Sequence, residues 1–234
     1  MTTNRFFIYA FALSVSASFS ACNDDDDEDN TKSAFDIHAV DLGLPSGVLW
    51  ADQNVGANSP YEGGDHFSFG ETSPKEVYSF DTYKYGGETS LTKYVKQDQA
   101  AGYGKNGFYD DIEVLEKEDD AASKNWGGLW RTPTQEEWEE LEKNAQWTWE
   151  EREDGVNGYT ITGPTGSSIF LPTTGYFYGK ELHNPSDYGT YWTATLGEGR
   201  DDYAQVYGAY SSGHFIYRYL RDHGYAVRPV KNNE

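Results

Sequence analysis

The chain of 234 residues contains little cysteine and little positive charge. Its one cysteine excludes an internal disulfide, so the fold must be held by other interactions. Its 18 lysines and arginines face 39 acidic residues, which gives a formal net charge of −21. A field of that sign disfavours nucleic acid and anionic lipid surfaces as partners, whereas neutral glycans and cations stay compatible with it.

The single cysteine, Cys22, follows a segment typical of a secretory signal. Arg5 precedes an apolar stretch over residues 6–13, and mostly small residues follow. That stretch is too short to span a bilayer, which takes about 20 apolar residues. Residues 19–22, Phe-Ser-Ala-Cys, resemble the lipobox of bacterial lipoproteins, whose cysteine receives a diacylglyceryl thioether. We expect residues 1–21 to be a signal peptide and Cys22 to be lipidated; a secreted protein with a leftover thiol is the alternative.

An acidic run occupies residues 24–29. Because these charges repel one another and the segment has nothing to bury, we expect residues 22–35 to form a solvated tether. An acidic patch after a lipidated cysteine also resembles the export signal by which some Gram-negative lipoproteins reach the outer face of the outer membrane. The sequence therefore predicts a lipid-anchored outer-membrane protein exposed on the cell surface, whose only membrane contact is the lipid; a passive spacer is the alternative.

The rest of the chain, residues 36–234, has a length that suits one domain of about 200 residues with an ample core. No linker divides it. The chain is 16% aromatic and has 25 glycines and 19 tyrosines, a composition typical of strands and loops rather than helical bundles. We therefore expect residues 36–234 to form a single domain rich in β-structure.

The clearest helix signal begins at Thr134, which can cap a helix while Glu137 completes a capping box. Trp138, Leu141 and Ala145 share one face at helical spacing, which predicts a helix of about three turns packed on a sheet. A shorter helix is expected to start at residues 119–122. Alternating or apolar segments predict a hairpin at 40–50 and strands at 159–162, 168–171, 174–178, 191–195, 204–207, 215–220 and 226–230.

A family resemblance rests on segments spread along the chain. They are "VDLGLPSGVLWADQNVGA", "EDDAASKNWGGLWRTPTQEEWEEL", "GTYWTAT" and "GYAVRPV". In this order they resemble the Fibrobacter succinogenes major paralogous domain, found in many secreted and lipid-anchored bacterial proteins and related to the formylglycine-generating and C-type-lectin-like superfamily. The resemblance implies an α+β fold: a C-type-lectin-like or sulfatase-modifying-factor-like domain with a twisted antiparallel sheet, one or two short helices and long loops. Within these segments, we expect Arg131 and Arg228 to form buried salt bridges.

The same resemblance allows an enzymatic function to be tested on residues. Formylglycine-generating enzymes work through cysteines near their C-terminal end, and the only cysteine here is Cys22. Ser211 and Ser212 near His214 lack a nucleophile-elbow motif and are typical of a hairpin turn. The histidines are too scattered for a metal signature, and the carboxylates of residues 109–120 are typical of a solvated face. We therefore predict no catalysis and no cofactor, with calcium at residues 109–120 as the alternative.

A binding function fits residues 173–192 better. Sugars are held by aromatic faces and by amides or carboxylates carried on loops over a rigid sheet. The candidate ligand-binding residues are Tyr176, Tyr178, Asn184, Asp187 and Tyr188. If this strand alternates, it buries Phe177 and presents the flanking tyrosines, whereas Trp192 is expected in the core beside Ala194. The alternative is that these tyrosines are half-buried filler with bonded hydroxyls.

The sequence thus predicts a surface-exposed lipoprotein with a non-catalytic recognition domain for a glycan or a cell-surface protein. Two other functions stay open. The domain could be a structural or adhesin component of the cell surface. It could also be a lipoprotein glycoside hydrolase, because nearly forty acidic residues allow any spacing of paired carboxylates.

Overall fold

A computed structural model describes residues 37–233, which belong to a compact unit spanning Ala34–Glu234. The predicted signal peptide and the whole of the acidic tether, Cys22 included, lie outside the described residues. Both hydrophobic cores, and all the hydrogen bonds described below, join residues of this one unit. We therefore treat Ala34–Glu234 as able to fold without the segment that precedes it.

The described residues form a mixed α and β structure with few helices. The eight pairings between the strands of residues 37–233 are all antiparallel. The strands are β1 (Ala39–Val40), β2 (Leu49–Ala51), β3 (Gly86–Gly87), β4 (Ser90–Leu91), β5 (Gln146–Glu151), β6 (Asn157–Thr162), β7 (Ser168–Pro172), β8 (Tyr176–Tyr178), β9 (Glu181–His183), β10 (Tyr188–Leu196), β11 (Tyr203–Tyr210), β12 (Gly213–Leu220) and β13 (Val230–Lys231). The helices are α1 (Ala100–Tyr103), α2 (Ala121–Trp126) and α3 (Gln135–Asn144), with 3-10 turns at Lys105–Gly107 and Lys117–Asp119. None of the described helices is long and apolar enough to cross a membrane.

The central sheet, in the order β10-β11-β12, has a hydrophobic core on each face. Successive side chains of a strand point to opposite faces, so β10 and β11 serve both cores. Trp192 and Val206 belong to one core, and Tyr191 and Tyr207 belong to the other. Trp192 and Ala194 are both buried, as the sequence predicted.

Helix α3 packs on the second of these cores. The predicted capping box is present: Thr134 accepts a hydrogen bond from the Glu137 amide, and the Glu137 carboxylate accepts one from the Thr134 amide. Trp138 and Leu141 are fully buried, and Trp138 stacks on Tyr207 with ring centroids 4.3 Å apart. The predicted packing of this helix on the sheet is therefore confirmed.

Most predicted strands are present with shifted ends, but one expectation about the C-terminal part was wrong. The segment 226–230 is not a strand over its length, because only Val230 joins β13 while Ala226 makes an isolated bridge. The strands β5 and β9 were not foreseen.

The two arginines expected in buried salt bridges differ. Arg131 pairs with both carboxylate oxygens of Glu137, at 2.6 and 2.7 Å, and is only half-buried. Arg228 is fully buried, and the predicted salt bridge is wrong: its guanidinium donates to Asn54 Oδ1 and to the carbonyls of Ala51 and Phe170. The acceptors of Arg228 are thus one side-chain amide oxygen and two backbone carbonyls, and not a carboxylate.

Candidate functional site

The hairpin of β8 and β9 carries the first candidate residues. Phe177 turns inward, where it stacks on Tyr78 at 5.2 Å between ring centroids and meets the edge of His66 at 5.1 Å. Tyr176 and Tyr178 turn the other way, and both stack on His223, at 6.2 and 4.7 Å. The two faces expected for this strand are therefore present, but the expected burial is not: Phe177 and Tyr176 are both half-buried, and only Tyr178 is exposed.

These two tyrosines belong to a longer row of rings that crosses β8, β10, β11 and β12. Neighbouring ring centroids along the row are 4.7 to 6.4 Å apart. We call this row the aromatic strip: Tyr188, Tyr210, Phe215, Tyr217, Tyr219, His223, Tyr178 and Tyr176. The sequence identified Tyr176, Tyr178 and Tyr188 as candidates, and the others were missed.

The strand β12 supplies the middle of the strip through its alternation. Phe215, Tyr217 and Tyr219 share one face because residues two apart point to the same side. The opposing positions on β11 carry small or aliphatic residues, with Gly208 opposite Phe215. A Cβ at Gly208 would lie 2.5 Å from the Tyr210 hydroxyl and 2.7 Å from the Tyr217 ring. Because glycine has no Cβ, the Tyr210 and Tyr217 rings can pack against the sheet at this position.

Four rings of the strip are open to solvent. The exposed fractions are 54% for Tyr178, 50% for Phe215, 40% for Tyr219 and 38% for Tyr188. Scattered apolar side chains are common on protein surfaces, whereas large contiguous apolar patches are typical of interaction sites. The strip has the exposure that a ligand platform needs.

His223 packs beneath Tyr178 at one end of the strip. It is buried, and its Nδ1 lies 2.9 Å from Asp222 Oδ1, which fixes the ring orientation. The ring of Tyr178 lies over it at an interplanar angle of 15°, and Tyr219 meets it edge-on. The carbonyl of Asp222 accepts a hydrogen bond from the Ser68 hydroxyl at 2.9 Å.

The loop between β9 and β10 carries the two polar candidates. Asn184 adopts a left-handed conformation with φ 49°, and its carbonyl accepts from the amides of Asp187 and Tyr188. Asn157 ties the loop to β6 through the Ser186 carbonyl at 3.0 Å. Asn184 and Asp187 are both exposed, next to Tyr188 at one end of the strip. All five predicted residues therefore lie in this region.

Three ring hydroxyls of the strip, those of Tyr210, Tyr217 and Tyr219, stay neutral at physiological pH. Burial raises the pKa of Tyr210, Tyr217 and Tyr219 above the usual value for tyrosine. Neutral phenol groups both donate and accept hydrogen bonds. The strip thus offers apolar faces with neutral hydroxyls at their edges.

Several acidic side chains of residues 109–120 form hydrogen bonds and ion pairs that hold the fold together. Asp110 accepts from the amides of Tyr94 and Val95, and Asp119 accepts from Lys93, Lys84 and the Tyr94 hydroxyl. Asp120 caps α2. Within residues 37–233 no group of three or more His, Cys, Asp or Glu side chains is placed to hold a metal ion.

The serine and histidine pair considered for catalysis is separated by its contacts. Residues 211–212 form the turn of the β11–β12 hairpin, as expected. His214 lies 2.8 Å from the Tyr207 hydroxyl through Nδ1 and stacks on Trp147 at 4.1 Å. No hydrogen bond of the described residues joins His214 to Ser211 or Ser212.

A separate cleft of about 430 Å³ lies beside α2 and the start of α3. Val114, Leu129 and Trp130 form its apolar walls, and Arg131 lies at its side, held by Glu137. Sites for small molecules commonly have volumes of this order. The sequence analysis did not single out this cleft, and none of the five candidate residues lines it.

A pH dependence follows from His66, which lies behind Phe177. Its Nε2 is 3.0 Å from the Thr174 carbonyl, and burial lowers its pKa to about 4. The unfolded chain binds a proton near pH 6.5 while the folded chain does not, so stability present above pH 6.5 is lost as the pH falls toward 4. We expect a loss of roughly 3 kcal/mol from this group.

The measurement is urea unfolding at pH 7 and pH 4.5 for the wild type and His66→Gln. The variant keeps a side-chain donor for Thr174 but has no titrating ring. Its unfolding free energy should fall less between the two pH values than that of the wild type. An equal fall in both proteins would show that His66 does not carry this dependence.

Comparisons of the chain with protein-family models, curated proteins and solved structures found no match.

Proposed function

We propose that the domain is a non-catalytic recognition module that binds a neutral glycan along the aromatic strip. The observation that carries this proposal is the continuous row of rings from Tyr188 to Tyr178, four of them open to solvent. Sugar rings present flat C–H faces that pack against aromatic faces. Neutral phenols and the amide and carboxylate of Asn184 and Asp187 are suited to hydroxyl groups at the edges of such a ligand.

The shape of the strip favours an extended ligand over a single sugar. From Phe215 to Tyr219 the chain advances four residues along one strand, about 13 Å. Such a length accommodates more than one sugar unit. Each stacked ring contributes about 1 kcal/mol, so a single domain should bind in the range of about 1 mM to 100 µM.

The fold proposal is a C-type-lectin-like domain. Its support is the antiparallel arrangement of the paired strands, the short helices and the long irregular stretch between β2 and β3. The family resemblance in the sequence supports the same fold. Fold alone does not establish a ligand, so the function rests on the strip.

A lipid anchor at Cys22 and export to the cell surface complete the proposal, and their support is the sequence of residues 1–29. Cells fed a palmitate analogue should label the wild type and not Cys22→Ala. Replacing residues 24–29 by asparagine should leave labelling intact and reduce protease accessibility on whole cells. Equal labelling of wild type and Cys22→Ala would rule out the anchor, and unchanged accessibility would leave the acids a passive spacer.

The binding test uses the unit Ala34–Glu234 presented in multivalent form to a glycan array and to cell-wall polymers. Any hit is then titrated with Tyr178→Ala and Asp187→Ala. Loss of the stacking ring should weaken binding about fivefold to tenfold, the equivalent of about 1 kcal/mol. Loss of Asp187 should change the choice among glycans that differ in their hydroxyl positions.

The matched control is Tyr109→Ala, which removes an exposed tyrosine that lies outside the strip. It should bind as the wild type does. If no sugar binds in multivalent format, or if Tyr178→Ala and Tyr109→Ala behave alike while folded, a structural or adhesin function takes the place of this proposal. Turnover of pooled chromogenic glycosides by the wild type would support the glycoside hydrolase.

A further inference from the structure

The two edges of the central sheet differ in their hydrogen bonds to other segments of the described residues. At the β10 edge, the Trp192 amide donates to the Ala226 carbonyl, and the carbonyls of Thr190 and Tyr188 accept from Ala226 and Gly175. Those bonds cover the edge. At the β12 edge, the described residues make no hydrogen bond to the backbone of Gly213–Tyr219 other than those of the β11 ladder.

The pairing of β12 with β11 identifies which backbone groups are free. Tyr210 and Gly213 close a two-residue turn, and in an antiparallel ladder hydrogen-bonded and non-bonded pairs then alternate. His214, Ile216 and Arg218 fall in the non-bonded pairs. Their amides and carbonyls therefore point away from β11, along the open edge.

This edge also lacks the devices that usually protect one. Natural proteins shield edges with lysine, proline, bulges or very short strands. The strand β12 has eight residues, "GHFIYRYL", without lysine or proline, and its register with β11 runs without a bulge. Its one full charge, Arg218, is folded back onto the Glu198 carbonyl. An edge of this kind is suited to pairing with another strand.

We propose that a second copy of this chain pairs with it through β12, antiparallel and centred on Tyr217. That register is the one in which the stretch 214–220 overlaps fully with itself. Ile216 of each copy then exchanges two backbone hydrogen bonds with Arg218 of the other. Moving the centre to Arg218 would place two arginines opposite each other, which destabilises a pair.

The same register joins the two aromatic strips. Opposite residues of an antiparallel pair point to the same side of the sheet, so Phe215 of one copy faces Tyr219 of the other. The two aromatic strips therefore lie on the same side of the paired sheets. The assembly does not depend on glycan binding, and it is measured without any sugar present.

The main test is sedimentation of the unit Ala34–Glu234 from micromolar concentration to about 1 mM, the range for a small interface. The mass should rise from one copy to two. Because the unit is strongly acidic, with a formal net charge of −17 once the −4 of residues 1–33 is left out, the copies repel, and added salt should strengthen the dimer. A single copy at about 1 mM in high salt would overturn the proposal.

Two variants at one position separate the edge from the side chain. Arg218→Pro removes one free edge amide and leaves the β11 ladder intact, so it should lower the dimer fraction at least tenfold. Arg218→Ala keeps the amide and loses only the guanidinium, so it should dimerise as the wild type does. Dimerisation of the proline variant at the wild-type level, or loss in the alanine variant, contradicts pairing at this edge.

Amide exchange of the wild type tests the same edge without a substitution. The amides of His214, Ile216 and Arg218 should become protected as concentration rises. Those of Phe215 and Tyr217, already bonded to β11, should be protected at every concentration. A dimer whose edge amides exchange freely would place the interface elsewhere.

Cross-linking tests the register. The unit contains no cysteine, since the only one is Cys22, so one engineered thiol per chain is unambiguous. A mixture of Phe215→Cys and Tyr219→Cys chains should form a disulfide, because opposite Cα atoms are about 4.5 Å apart. Each variant alone should not, because its thiols lie about 13 Å apart along the strand. Disulfides in the single-variant samples and none in the mixture would contradict the register.

Discussion

Replacing Trp138 by alanine will lower the free energy of unfolding by about 3–5 kcal/mol, the range for truncating a buried tryptophan. Its ring is fully buried, stacks on Tyr207 at 4.3 Å and meets Trp50 edge-on at 4.7 Å. Removing this ring leaves a cavity between α3 and the central sheet. Urea unfolding followed by circular dichroism measures the loss.

The matched comparison is Thr134→Ala at the start of the same helix. It removes one capping bond and leaves the core intact, so it should cost only about 1 kcal/mol. Comparing the two losses of unfolding free energy separates the contribution of packing α3 on the sheet from that of its N-terminal cap. Similar losses in the two variants would mean that α3 is not held by Trp138.

Replacing Arg228 by methionine will cost about 3–5 kcal/mol, although it exchanges a buried charge for an apolar side chain of similar length. The guanidinium donates to Asn54 Oδ1 at 2.7 Å, to Phe170 O at 2.9 Å and to Ala51 O at 3.1 Å. Methionine leaves these acceptors buried without a donor. Burial lowers the Arg228 pKa to about 10, so the group is still charged at neutral pH.

A second substitution tests the reason for that loss. Arg228→Lys keeps a positive charge, but its single ammonium cannot replace the planar guanidinium at three acceptors. We expect most of the stability loss to persist in this variant. Recovery of wild-type stability with lysine would mean that charge, and not the number of hydrogen bonds, is what this position requires.

The parts of the fold that could be predicted are those specified locally. Thr134 and Glu137 stand three residues apart, and this spacing alone defines the start of α3. The alternation in β10, β11 and β12 likewise identifies strands. The stretch between β2 and β3 could not be predicted, because distant bonds hold it: the amides of Phe67 and Tyr225 each donate to the other residue's carbonyl.

Arg228 shows the same limit at the level of one side chain. Its partners Ala51 and Phe170 lie 177 and 58 residues away along the chain. Nothing near position 228 indicates whether its partner is a carboxylate or a carbonyl. The ion pair expected for Arg131 is present, with Glu137 of α3 six residues away as its partner, although Arg131 is only half-buried.

The candidate site divides in a similar way. The alternation in "YFY" indicated that Tyr176 and Tyr178 lie on one side of a strand. The same signal was present in β12 for Phe215, Tyr217 and Tyr219, and it could have been used. What no local pattern reveals is that these two strands share one surface, since His223 joins them through tertiary packing.

The most direct test of the central claim is a nuclear magnetic resonance titration of the unit Ala34–Glu234 with the strongest glycan hit. Binding along the strip predicts concentration-dependent shifts of the ring signals of Tyr178, Phe215 and Tyr219, with little change elsewhere. The contrary result is shifts confined to Leu129 and Trp130 in the separate cleft, with the strip unchanged. That outcome would show that the rings of the strip are not the glycan-binding surface.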